Sequence, residues 1–194
     1  MKTTRLIVAA LAALASTANA QGGRGGGRAV TMTLTTTAFA DGTVIPIKHT
    51  QAGEQVSPAL SWTGAPDSAK SFVLLMHDID VANGPAGEDQ LHWLVWNIRG
   101  GATSLPEGVP QGGDQPNGMR QMSVSGPYYR GPGAPATGPM HHYVFELYAL
   151  DATIDVPAVG QSPSATRAAV FAAMQGHIRG KGVLVGLFKR PASP

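Results

Sequence analysis

The sequence predicts a mainly β protein: an antiparallel β-sandwich with one or two peripheral helices near the C-terminus. Three observations carry this expectation. Apolar residues come in short runs separated by turn-forming stretches, in a chain with 25 glycines and 15 prolines. Several runs alternate with period two, and others are continuous over a strand's length, as strands buried on one face or on both faces are. Only one segment has helical spacing together with helical caps. Many short strands followed by one late helix is the pattern of a layered β architecture.

The elements follow in order. Lys2 and Arg5, the apolar run Leu6 to Leu14 and the small residues Ala18-Asn19-Ala20 form the three-part pattern of a cleaved signal peptide over residues 1–20. That apolar run is too short for a permanent membrane span, so a periplasmic or secreted chain is expected. Residues 21–29 read as a flexible Gly/Arg-rich linker, and 30–191 as a single domain. Val30 to Thr35 alternates as a half-buried strand. Asp41-Gly42 turns into Val44-Ile45-Pro46-Ile47, where the proline points to a sheet edge.

Ala59 to Trp62 is a short strand, and Gly64 to Asp67 a turn. Ser71 to His77, His92 to Ile98 and Tyr143 to Leu150 are apolar runs suited to strands covered on both faces. Gly112 to Pro139 is a long Gly/Pro-rich loop. Ser162-Pro163 supplies an N-cap and a first-turn proline for a helix over Ser164 to Gln175. Gly176 stops it, and Val170, Ala173 and Met174 form the core face. Gly182 to Phe188 reads as the last strand.

Composition removes several function classes. The formal charge is +2, from 14 basic and 12 acidic residues, and two of the basic ones, Lys2 and Arg5, lie in the signal. The domain is therefore close to neutral and charge-poor, without the basic stripe that nucleic acid requires. The chain has no cysteine, which excludes a thiol nucleophile and disulfide staples. No Gly-x-Ser-x-Gly elbow is present, and His77, Asp78, His92 and His141 lack a recognised metal-ligand spacing. Neither a cofactor, a metal nor catalytic residues are expected, and a hydrolase is the least supported class.

What remains is a set of ionisable groups at the ends of apolar strands, where burial of a lone charge is costly. Asp78 and Asp80 close one run, His92 opens another, and His141 and His142 open a third. Alternation places Asp78 and Asp80 on one face if the strand continues through Ile79. It likewise places His141 with Tyr143 and turns His142 away. Asp78, His92, His141 and Tyr143 are thus candidates for one site: imidazolium and hydroxyl donors for an anion, with an aspartate orienting a histidine. The plainer alternative is that the aspartates cap a turn and the histidines are satisfied core residues.

Four stretches, taken in order, resemble the phosphatidylethanolamine-binding protein family, in its bacterial Raf-kinase-inhibitor-like branch. They are Ser57-Pro58-Ala59-Leu60-Ser61-Trp62; His77-Asp78-Ile79-Asp80 with Leu91 to Ile98; Tyr129-Arg130-Gly131-Pro132 through Asp151; and Ala173 to His177 with Gly182 to Gly186. The resemblance implies a sandwich of Greek-key character. It also implies a small anion pocket lined by Asp78, His92, His141 and Tyr143 and supported by Asp80 and His142. Implied ligands are phosphate, phosphoryl head groups or acetate-like carboxylates.

Two departures stand out. Ile79 occupies the place of the proline in the family's Asp-Pro-Asp, and His142 that of an arginine, which weakens the expected tie between the acidic segment and the strand. The expected protein is a non-enzymatic anion binder. The alternative is an inhibitor or scaffold that meets a protein partner through Gly112 to Pro139, with Tyr128, Tyr129 and Arg130 as anchors; a homodimer is a separate partner expectation with no interface assigned. Nucleic acid and a membrane-spanning role are not expected.

Overall fold

The computed structural model describes residues 28–82 and 87–192. Residues 1–27, read above as export signal and most of the linker, lie outside the described residues, as do residues 83–86. Among the described residues, no helix is long and apolar enough to cross a membrane.

The strands are β1 (Val30–Thr31), β2 (Thr33–Thr35), β3 (Thr43–Val44), β4 (Leu60–Thr63), β5 (Ser71–Asp78), β6 (Gln90–Arg99), β7 (Ser104–Leu105), β8 (Arg120–Met122), β9 (His141–Leu150) and β10 (Ile178–Phe188). One helix, α1, spans Pro163–Met174. The larger sheet runs β1-β10-β9-β5-β6-β8, with β3 also on β10; the smaller runs β2-β4-β7. Pairing is antiparallel except that β1 and β3 lie parallel to β10, so the larger sheet is mixed.

Two cores follow from strand alternation. Phe72, Leu74, Met76, Trp93, Phe145 and Leu147 face the small sheet and pack against Met32, Leu34, Leu60 and Trp62. On the opposite face Val73, Leu75, Leu94, Trp96 and Leu150 pack beneath Ile154, Val156, Val170 and Met174. Alternate side chains of β5 enter the two cores, which explains why its run is continuously apolar.

The helix matches its signals. Ser162 Oγ accepts the Ala165 amide at 3.2 Å, Pro163 opens the first turn, and Gly176 takes φ +79° just beyond the end. Its buried residues are Thr166, Val170 and Met174; Ala173 is only partly buried.

Three elements differ from the sequence reading. Val30 to Thr35 is not one strand: the chain changes sheets at Met32, so β1 joins β10 and β2 joins β4. Alternation reports which residues are buried but not which sheet receives them. The proline edge strand is confined to β3, and Ile47–His49 forms a 3-10 turn after Pro46. The 112–139 loop contains β8, which extends the sheet alongside β6. Tyr129 is not an exposed anchor. It is buried, its hydroxyl donates to the His49 carbonyl at 2.7 Å, and its ring stands edge-on to Trp93.

Register shifts in the β5–β6 pair matter most for the site. Phe72 faces Ile98 and Leu74 faces Val95, so β6 holds an extra residue there. Asn97 adopts φ +58° in that bulge, and its side chain exchanges two 2.8 Å hydrogen bonds with the Ile154 backbone. In the second shift, Met76 faces Trp93 while His77 faces Leu91. The unpaired residue is His92.

Candidate functional site

Bulges re-aim side chains. Strict alternation from Trp93 places His92 on the helix-covered face, with Leu94 and Trp96. The extra residue instead turns it toward Tyr143, and the two rings meet edge-on at 5.0 Å. Asp78 pairs with Tyr143 across β5 and β9, and His141 lies two residues before Tyr143 on the same face. The four side chains therefore line one pocket of about 130 Å³ at the end of the sandwich. Gln51, Val81, Gln90 and Arg130 also line it, with Gly133 to Pro135 forming a wall.

Each polar group has a defined partner. His141 Nδ1 is 2.8 Å from Asp78 Oδ2. His92 Nδ1 is 2.9 Å from the Arg130 carbonyl. A carbonyl only accepts, so Nδ1 of His92 carries the proton and Nε2 is the acceptor nitrogen of the neutral ring. The Tyr143 oxygen accepts the amides of Gly133 and Ala134 at 3.1 and 3.0 Å. Its own proton is shared with Asp78. The sequence reading offered this hydroxyl to the ligand, but here it braces the pocket wall.

Burial pushes the His92 ring below its ordinary pKa, against the opposing effects of the Arg130 carbonyl and the Asp78 charge. Burial also pushes the Tyr143 hydroxyl far above its ordinary value, with the neighbouring Asp78 acting in the same direction. His92 is therefore neutral near pH 7, and Tyr143 is un-ionised.

Asp80 does not share the face of Asp78. The strand ends at Asp78, and the Asp80 amide donates to Asp78 Oδ1 at 3.1 Å, so Asp78 caps the turn as well as holding His141. Asp80 lies outside and meets His142 twice, at the backbone amide (2.5 Å) and at Nδ1 (2.9 Å). Burial raises the Asp80 carboxyl, but these contacts bring it below the usual carboxylate range. The tie between acidic segment and strand is present without an arginine, because a backbone amide supplies a second donor. Both side chains are well exposed, so the pair adds little stability.

His77 points to the opposite face of the sheet. Its Nδ1 meets Asp89, and Nε2 is 4.0 Å from Glu146. It does not converge with Asp78, His92 or His141, and no metal-binding cluster occurs among the described residues. A second cleft, near Asp89 and α1, has its polar groups already committed. Arg167 donates to Asp89 at 2.5 Å, and Ser164 to Glu88 at 3.1 Å.

Arg130 is the pocket residue that sequence reasoning assigned elsewhere. Its backbone amide donates to the His92 carbonyl at 3.1 Å, and its own carbonyl receives His92 Nδ1. Gly131, the next residue, holds this segment against residues 49 and 50. A Cβ there lies 2.6 Å from the His49 oxygen and 2.8 Å from Thr50 Cα, both backbone atoms that cannot step aside. Gly131→Ala is expected to lower stability by roughly 1–3 kcal/mol through overpacking, read from urea unfolding. An unchanged unfolding midpoint contradicts this close approach.

The fold is shared with known proteins. The phosphatidylethanolamine-binding protein family model matches residues 35–189. A UPF0098 protein of Methanothermobacter thermautotrophicus is 41% identical over 161 residues, covering 82% of this chain and 99% of its own. One from Pyrococcus horikoshii is 35% identical, covering 86% and 81%. A solved phosphatidylethanolamine-binding protein homolog from Chlamydia trachomatis has TM-score 0.67 at 30% identity, covering 82% of this chain and 98% of that one. Escherichia coli YbcL, at 24% identity and TM-score 0.69, shares the fold over the same fractions. With a match across most of the described domain and the same layered sheets, this chain belongs to the phosphatidylethanolamine-binding protein family.

Proposed function

We propose that this chain is an exported, non-enzymatic protein that binds a small oxyanion, phosphate or a phosphoryl or carboxylate group, in the pocket of Asp78, His92, His141 and Tyr143. The observation that carries this reading is the convergence of two imidazoles and the Arg130 guanidinium on one small concavity backed by Asp78. Its volume is well below that of sites for drug-sized ligands, so the fit is to a compact group. Export rests on the pattern of residues 1–20. The rival reading, a protein interface through residues 112–139, loses support because Tyr129 is buried and β8 belongs to the sheet.

Anion binding and protonation are coupled in this pocket. The groups facing His92 are Asp78 from β5, His141 and Tyr143 from β9, and Arg130 from the loop. In the empty pocket His92 titrates below its ordinary value of about 6.5. An anion beside the ring raises that value, so binding takes up a proton. Affinity for phosphate is expected to rise as pH falls from about 8 to 6, and to continue rising below pH 6.5 until the free-pocket value is passed. Calorimetry at both pH values, in buffers of different ionisation enthalpy, measures the affinity and the proton count. Equal affinity in the wild type and in His92→Ala/His141→Ala removes the pocket from consideration.

The same shift has a consequence for folding. A histidine with a depressed folded-state pKa leaves stability intact above its unfolded value of about 6.5 and costs stability as pH falls below it.

A further inference from the structure

A β-bulge gives up ladder hydrogen bonds, so contacts elsewhere must favour the register that leaves His92 unpaired. Closing the bulge shifts residues 89–92 by one position against β5, and each of their side chains then changes face. His92 leaves the pocket for the side of His77. Leu91, which faces His77 and lies in the helix-covered core, turns toward Asp78. Asp89, two residues before Leu91, turns with it and brings a second carboxylate to the Asp78 side.

In the observed register Asp89 is held from two elements. Arg167 of α1 donates to its Oδ1 at 2.5 Å and to its backbone carbonyl at 3.3 Å. His77 of β5 meets its Oδ2 through Nδ1. The three side chains are mostly shielded from water, where charge-assisted hydrogen bonds outweigh those of exposed pairs. Burial raises the Asp89 carboxyl, but Arg167 and His77 bring it below the usual carboxylate range. Arg167 is itself braced, its guanidinium carbon 5.8 Å from the centre of the Phe171 ring. A one-residue shift turns Asp89 away from both partners.

We infer that Asp89 is a positioning residue for the pocket: bound to Arg167 of α1 and His77 of β5, it clamps β6 in the bulged register and so aims His92 from the far side of the sheet. The clamp sets the direction of the ring whatever the pocket holds. Through it α1 supports the pocket, although no residue of the helix lines it.

The reporter is the His92 Nδ1–H, which donates to the Arg130 carbonyl in this register. Its hydrogen exchange is measured by NMR at pH 7 on the full chain, as a ratio to exchange of the Leu74 backbone amide in the middle of β5. Asp89→Ala is expected to raise that ratio on the order of 10- to 100-fold, the range for losing hydrogen bonds to a charged group. Arg167→Ala, which leaves the carboxylate on His77, should give a smaller rise. Val170→Ala is the control, because Val170 is fully buried in the core beneath α1 and touches none of the clamp. It should lower stability and move both exchange rates together.

An unchanged ratio in Asp89→Ala overturns the clamp, and so does an equal rise in Val170→Ala, since any loosening of the domain would then suffice. If Asp89→Ala does not fold, Arg167→Ala decides by the same ratio, and an unchanged value overturns the clamp. Phosphate calorimetry on the same variant keeps this inference apart from the anion reading. A raised ratio with unchanged phosphate affinity supports the clamp and counts against His92 as an anion contact. An unchanged ratio with weakened phosphate binding overturns the clamp and leaves the pocket standing.

Discussion

Trp93→Ala is expected to destabilise the protein by roughly 3–5 kcal/mol, the range for emptying a fully buried indole site. Trp93 is 0% exposed and stands edge-on to Tyr129, with centroids 5.3 Å apart. Its Nε1 donates to Gln121 Oε1 at 2.8 Å, and Gln121 is itself fully buried in β8. Truncation therefore leaves both a cavity and an unsatisfied acceptor. Because Trp93 follows His92 at the bulge, the wall that aims His92 loosens too, and phosphate affinity falls with stability. Trp93→Phe restores much of the packing but not the hydrogen bond, so its loss should be about 1–3 kcal/mol. Chemical denaturation of the two variants orders the effects. Equal losses in both place the whole effect in the hydrogen bond.

Tyr143→Phe is the second large expectation, roughly 2–4 kcal/mol of stability for the loss of one oxygen. That atom accepts the amides of Gly133 and Ala134, and Ala134 is buried. Without it two donors lose their acceptor, and the Asp78 carboxylate loses one of the groups turned toward it. Phosphate affinity should fall because the 133–135 wall is no longer held, although no hydroxyl proton is withdrawn from the ligand. Thermal unfolding and phosphate calorimetry on the same preparation test both parts. Weakened binding with unchanged unfolding returns the hydroxyl to the ligand as a direct donor.

Both variants act on contacts that join distant parts of the chain, and there the sequence was least informative. Period-two alternation is local, so it correctly separated Tyr143 from His142 and marked Ser71 to Asp78 as a strand covered on both faces. The caps of α1 are local as well, and Ser162, Pro163 and Gly176 act where their chemistry indicated. Asp80 was misplaced because alternation was carried one turn too far. The strand stops at Asp78, whose carboxylate receives the Asp80 amide. Tyr129 and Arg130 were assigned to an exposed surface because a Gly/Pro-rich stretch gives no sign of what packs over it. One became core and the other part of the pocket.

By itself the sequence determined the long central strands, the helix and the identity of the ionisable groups at the strand ends, since these follow from hydrophobic period, caps and composition. Tertiary structure alone decided that His92 joins them, because an extra residue in β6 is visible only against the register of β5. It also decided which proton faces which acceptor. His141 finds Asp78 63 residues away, and His92 finds a carbonyl 38 residues away. A hydrogen bond is directional, and its direction is set by whichever groups folding brings together.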